Sequence, residues 1–147
     1  MRTGVLLCLL TAALAPLGCD GTVAPSPQIL DLVLRSDTTE YRPTDTFSGT
    51  LTFISLTVRK IRHEFPDGGQ YHVGLFDSGG VLKLDYSPNA QYPRVSYFEL
   101  EPHAARTDTV RFALSPTDTL LEGEYRVRAW IEGHTDINAE TAVLLEW

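Results

Sequence analysis

Leu121-Glu122-Gly123-Glu124-Tyr125-Arg126-Val127-Arg128-Ala129-Trp130-Ile131 decides the fold. From Tyr125 onward its apolar residues fall at every second position, the period of a strand with one buried face. Leu121, Val127, Ala129 and Ile131 read as that face, with Arg126, Arg128 and Glu132 outside. Tyr125 stands two residues before an inward apolar position at a strand start. This is the spacing of the tyrosine corner, in which a phenol bonds back to upstream backbone in immunoglobulin-like folds. The same residue also reads as a half-buried strand aromatic, and both readings stay open at this point.

Working outward, the same period recurs. Leu30, Leu32 and Leu34 alternate with Asp31, Val33 and Arg35, and Phe47, Gly49, Leu51 and Phe53 alternate with Ser48, Thr50 and Thr52. Further strand-like runs occupy 71–76, 81–86, 95–100, 109–114, 125–131 and 141–146. Turn clusters such as Asp77-Ser78-Gly79-Gly80 and Ser115-Pro116-Thr117-Asp118 separate them. No helical period persists beyond a turn or two. The expectation is an all-β, immunoglobulin-like antiparallel β-sandwich of about eight strands, spanning 29–147.

The N-terminal residues have a different character. Arg2, an apolar run from Val5 to Leu14 and small residues after it have the three parts of an export signal over 1–18, too short to cross a bilayer. Leu17-Gly18-Cys19 resembles the end of a bacterial lipobox, where cleavage precedes a diacylated cysteine. Pro16 and Leu17 depart from the aliphatic and small residues preferred there. The resemblance implies lipid attachment at Cys19 and a cell-envelope location. Ordinary secretion after Ala13-Leu14-Ala15 is the competing reading, disfavoured by Pro16 behind the scissile bond. Cys8 is the other cysteine, so a chain processed at Cys19 holds no disulfide. Residues 19–28, with Pro25 and Pro27 among small residues, read as a lipidated tether.

All 19 acidic residues and 11 of the 12 basic ones follow position 18, a formal charge of −8. Such a domain is repelled by phosphate, so no nucleic-acid partner is expected and the membrane would be reached through the lipid only.

Four segments together resemble the BsuPI-like domain, an immunoglobulin-like sandwich named after a bacterial intracellular proteinase inhibitor. They are Tyr41-Arg42-Pro43 before a strand; Phe65-Pro66-Asp67-Gly68-Gly69-Gln70-Tyr71 leading into Val73-Gly74-Leu75-Phe76-Asp77; Leu100-Glu101-Pro102; and the stretch from Leu121 to Trp130. Departures include an extra glycine before Gln70, His72 where aspartate is usual, Leu82 and Leu84 where tryptophan is favoured, and His103 where glycine is usual. The resemblance implies a protein partner, with a protease as one form of it. It supplies no inhibitory residue.

Candidate contact loops are 63–70, 86–94 and 102–107. The middle one carries Tyr86, Tyr92 and Arg94, side chains typical of interface anchors, although Pro88 and Pro93 equally read as stiffening a surface crossover. Two other readings stand beside protein inhibition: a structural envelope module that pairs through an open sheet edge, and a carbohydrate- or small-ligand-binding sandwich using an outward Trp130.

Catalytic chemistry is not expected. Asp77-Ser78-Gly79-Gly80 copies the tetrapeptide around a serine-protease nucleophile but lacks its partner motifs, and reads as a hairpin turn. His63, His72, His103 and His134 are not paired at ligand spacing, and Asp136-Ile137-Asn138-Ala139-Glu140 lacks a calcium loop's glycine, so it reads as a polar turn. No metal or cofactor is expected.

Overall fold

The computed structural model describes residues 21–42, 44–88, 94–114 and 120–146. Residues 1–18, read as an export signal, Cys19, Tyr92 and the expected turn at 115–118 lie outside them. The chain is an all-β, immunoglobulin-like sandwich. Its strands are β1 (Thr22–Val23), β2 (Leu30–Ser36), β3 (Glu40–Tyr41), β4 (Thr46–Ser55), β5 (Lys60–Phe65), β6 (Tyr71–Asp77), β7 (Leu82–Tyr86), β8 (Ser96–Leu100), β9 (Ala105–Ala113), β10 (Gly123–Ile131) and β11 (His134–Leu145).

A five-stranded sheet of order β3-β11-β10-β6-β7 faces a three-stranded sheet of order β2-β4-β9, and a small sheet β1-β5-β8 completes the fold. The alternation seen in sequence places Leu30, Leu32, Leu34, Phe47, Leu51, Phe53, Val110 and Phe112 of one large sheet against Val73, Leu75, Val127, Ala129 and Ile131 of the other. All of these are buried. Aromatic pairs cross the interior: Phe53 meets Tyr71 at 5.6 Å between ring centroids, and Tyr86 stacks on Phe112 at 5.8 Å.

Tyr125 forms a true corner. Its hydroxyl accepts from the Leu121 N–H at 2.9 Å and donates to the Leu121 carbonyl at 3.0 Å, so one side chain satisfies both backbone groups of the approaching segment. Leu121 itself is 69% exposed, contrary to the expected buried face, and Leu120 is buried in its stead. The reason is local: the strand begins only at Gly123, whose φ of 145° turns the chain, so the alternation does not extend back to 121.

One strand and the first part of another were hidden by charge. Residues 63–65, read as the start of the 63–70 loop, belong to β5, in which Ile61 and Phe65 are buried while Arg62 and Glu64 face out. Residues 136–140, read as a polar turn, lie inside β11 with Ile137 buried. The turn is at Glu132-Gly133, where Gly133 has a φ of 75°. Likewise β9 starts at Ala105, so the expected 102–107 loop shortens. With β5 added, nine strands have five or more residues among those described. β1 and β3 are two-residue parallel bridges to β5 and β11 in a sandwich that is otherwise antiparallel.

Residues 21–28, read as a tether, lie on the domain. Thr22 and Val23 pair with Lys60 and Ile61, Pro25 is buried, and the N–H groups of Ile29 and Leu30 both donate to the Ser26 carbonyl, at 3.0 and 2.9 Å.

Candidate functional site

The order of the five-stranded sheet leaves β7 as its outer strand, paired only to β6 among the described residues. Among the described residues no ladder pairs the backbone N–H and C=O groups on its outer side. Leu84 and Tyr86 turn inward and pack against the core, whereas Val81 and Leu82 are 55% and 43% exposed. This combines an open hydrogen-bonding edge with apolar side chains beside it.

The turn feeding β7 is tightly built. Asp77 accepts from the Val81 N–H at 2.9 Å and lies 3.1 Å from the Lys83 ammonium. The Val81 amide, and after it Lys83, holds its carboxyl below the usual carboxylate range. Gly80, with a φ of 80°, supplies the left-handed residue that closes the hairpin. Asp77-Ser78-Gly79-Gly80 is therefore a hairpin turn, as its composition suggested.

Outside β6 and β10 a second feature follows from Gly74. A Cβ there would come within 2.7 Å of Leu82 Cδ1, 2.9 Å of Phe76 Cε2 and 3.1 Å of Trp130 Cζ3. The missing side chain thus leaves a depression that these three residues cover. Trp130 points outward as the alternation requires, but one face is stacked under His72 at 5.3 Å and nearly parallel, and Phe76 meets it edge-on at 6.1 Å. His72, standing where the resemblance has aspartate, sets its Nδ1 3.2 Å from Asp85 and its Nε2 against Glu132. Arg128 lies over Phe76 at 5.2 Å and pairs with Glu140. The ring is thus largely enclosed by its own neighbours, which weakens its use as a stacking platform.

The glycine-rich turn at 66–70 also has a structural use. Gln70 Nε2 donates to Ser96 Oγ at 3.3 Å and to the Tyr97 carbonyl at 3.1 Å, while its Oε1 accepts from Arg106 at 3.2 Å. The Arg106 guanidinium lies 4.7 Å above Phe53 and 4.8 Å above Phe98 and also bonds Asp108. One amide therefore ties the turn to β8 and β9. Beside it, burial first, and Asp108 next, push the Tyr71 phenol up to about 12.

Of the three residues proposed for partner contact, Tyr86 ends β7 with its ring against Phe112, Arg94 is exposed before β8, and Tyr92 lies outside the described residues. The fold brings His63 and His134 together, edge-on at 5.0 Å, a pairing 71 positions of sequence concealed. Desolvation, and then the neighbouring His134, hold His63 below its ordinary value. Among the described residues no group of three His, Cys, Asp or Glu side chains is arranged to hold a metal ion.

No family model and no curated protein sequence matches the chain. Solved structures do. The alkylpurine DNA glycosylase AlkC of Pseudomonas fluorescens, bound to DNA with an abasic-site analogue, superposes with a TM-score of 0.54 at 11% identity. That match covers 83% of this chain and 32% of the glycosylase. The sporulation control protein Spo0M of Bacillus subtilis gives 0.54 at 14% identity, over 81% of this chain and 50% of that one. A β-glucosidase of Erythrobacter marinus gives 0.54 at 10% identity, over 80% and 15%. The chain spans half or less of each of these proteins, and the likeness is one of fold.

Proposed function

We propose that this chain is a lipid-anchored cell-envelope protein whose sandwich binds another protein along β7, with inhibition of a proteinase as the activity that its resemblance to the BsuPI-like domain implies. The observation that carries the reading is the open edge of β7 beside exposed Val81 and Leu82. An extended segment of a partner adds there as a further strand. Main-chain bonds supply affinity, and the apolar side chains supply contact area. The 86–94 segment follows β7 directly, so Tyr86 fixes its base and the exposed Arg94 marks its far end; Tyr92 and Arg94 are the residues proposed to extend the contact. Cys19 supplies the anchor, and no catalysis is assigned to the domain.

The test is a titration of the soluble chain from Asp20 onward into a panel of serine proteases, with residual activity measured. Stoichiometric inhibition of one protease, weakened in Leu82→Lys, supports inhibition along β7. Cleavage or indifference across the panel removes inhibition and leaves the non-inhibitory envelope module.

A further inference from the structure

The parallel pairing of β1 with β5 fixes where the chain emerges. Thr22 lies beside Lys60 and Val23 beside Ile61, so moving backward from Thr22 leads toward the 56–59 turn that precedes β5. Cys19 stands two positions before Gly21, and two positions of fully extended chain span at most about 7 Å. An acyl group on Cys19 would hold this corner of the domain close to the bilayer.

The corner carries two aliphatic side chains held outward. Leu56 is 52% exposed and Val58 76%. The turn that bears them is bonded on several sides: the Leu56 N–H donates to the Ile29 carbonyl at 2.8 Å, the Ser55 N–H to the Ala104 carbonyl at 2.9 Å, and the His103 N–H to the Thr57 carbonyl at 3.3 Å. The Arg59 N–H donates to the Thr57 hydroxyl at 3.2 Å. These bonds fix the backbone, so neither residue can fold onto the core without breaking them. Much of the local charge is paired, since Lys60 lies 3.0 Å from Glu99 and 3.1 Å from Glu101, and Arg62 lies 3.3 Å from Glu99, while the exposed Arg59 stands in the turn itself with no ion pair among the described residues. Attraction between this corner and an uncharged bilayer would therefore be chiefly apolar, with Arg59 the one cation of the turn.

We infer that the 56–59 turn is a membrane-contacting element, with Leu56 and Val58 entering the bilayer interface beside the lipid on Cys19. The inference rests on the proposed anchor. It gives the anchored domain one orientation rather than a freely swinging one, and it places the opposite end, with the 78–80 turn, away from the surface. That end is identified by register. Ser36 closes β2 far from Leu30, the following β3 pairs with Leu144 and Leu145, Leu145 pairs with Gly123, and Tyr125 with Asp77.

The test uses the full lipidated chain in phosphatidylcholine vesicles. Once the export segment is removed and Cys19 acylated, a Val58→Cys substitution introduces the sole free thiol, which takes an environment-sensitive fluorophore. Leu56→Cys gives a second site, and Ser78→Cys is the distal control. The inference requires blue-shifted emission and quenching by a lipid-borne quencher at positions 56 and 58, with neither at 78. Mass spectrometry of the same preparation reports acylation. An acylated chain whose labels at 56 and 58 stay unquenched overturns the inference and leaves the anchor standing. Emission shifts that track protein-to-lipid ratio assign the turn to self-association and overturn it too. A chain with no acyl group on Cys19 overturns the anchor, and this inference with it.

Discussion

Replacing Tyr125 with phenylalanine removes a single oxygen and two hydrogen bonds, at 2.9 and 3.0 Å, while leaving the buried ring in place. Each such bond contributes about 0.5–1.5 kcal/mol net. Leu121 is well exposed, so water can replace part of what its backbone loses, and the lower half of the summed range applies. The expected loss is about 1–2 kcal/mol. For a domain of this size, that corresponds to a fall of roughly 3–10 °C in melting temperature. Thermal unfolding of the soluble chain, followed by circular dichroism, reads it directly. Tyr125→Ala is the reference, because it also removes the ring and should cost about 3–5 kcal/mol, as truncation of buried aromatics does. A Tyr125→Phe chain that melts with the parent would refute the claim that the corner pins the 121–125 turn. One that melts with Tyr125→Ala would show that the hydroxyl alone decides folding, which two hydrogen bonds cannot account for.

Gly49→Ala should be more damaging than its size suggests. The added carbon would lie 2.4 Å from the Arg35 carbonyl oxygen, so the β2 backbone must move. A loss toward the upper end of about 1–3 kcal/mol is expected as a lower urea midpoint at unchanged slope. His63 makes stability pH-dependent. Unfolded, it takes up a proton as pH falls through 6.5, whereas folded it resists until lower pH, so stability is fully present above that interval and is lost as pH falls across it. His63→Gln should flatten the decline as pH falls below about 7, in melting curves, with no change in slope above about pH 7.5. An equal slope in both chains would remove His63 as its source.

How much of this was legible depended on range. Tyr125 and Val127 announced their strand because corner and alternation are both local. β5 escaped notice because Arg62 and Glu64 drew attention to charge, while half-buried His63 broke the apolar series between Ile61 and Phe65. The alternation puts Leu121 inside only if it runs two positions upstream of Gly123, where the strand begins, and a one-residue slip there puts Leu120 on the buried face. The candidate edge was harder still. Val81 and Leu82 read as an ordinary strand start, and only the pairing order, set by contacts far apart in sequence, leaves β7 outermost. His63 with His134, and Gln70 with Arg106, are likewise products of the fold.

Photo-crosslinking along β7 tests the central claim most directly. A photoreactive amino acid replacing Leu82 in the full chain, expressed in its native cells, is compared with one replacing Thr109, exposed on the other sheet. Binding along β7 predicts a discrete adduct with one protein at position 82 and none at 109. No adduct at position 82, or the same adducts at both positions, would contradict it.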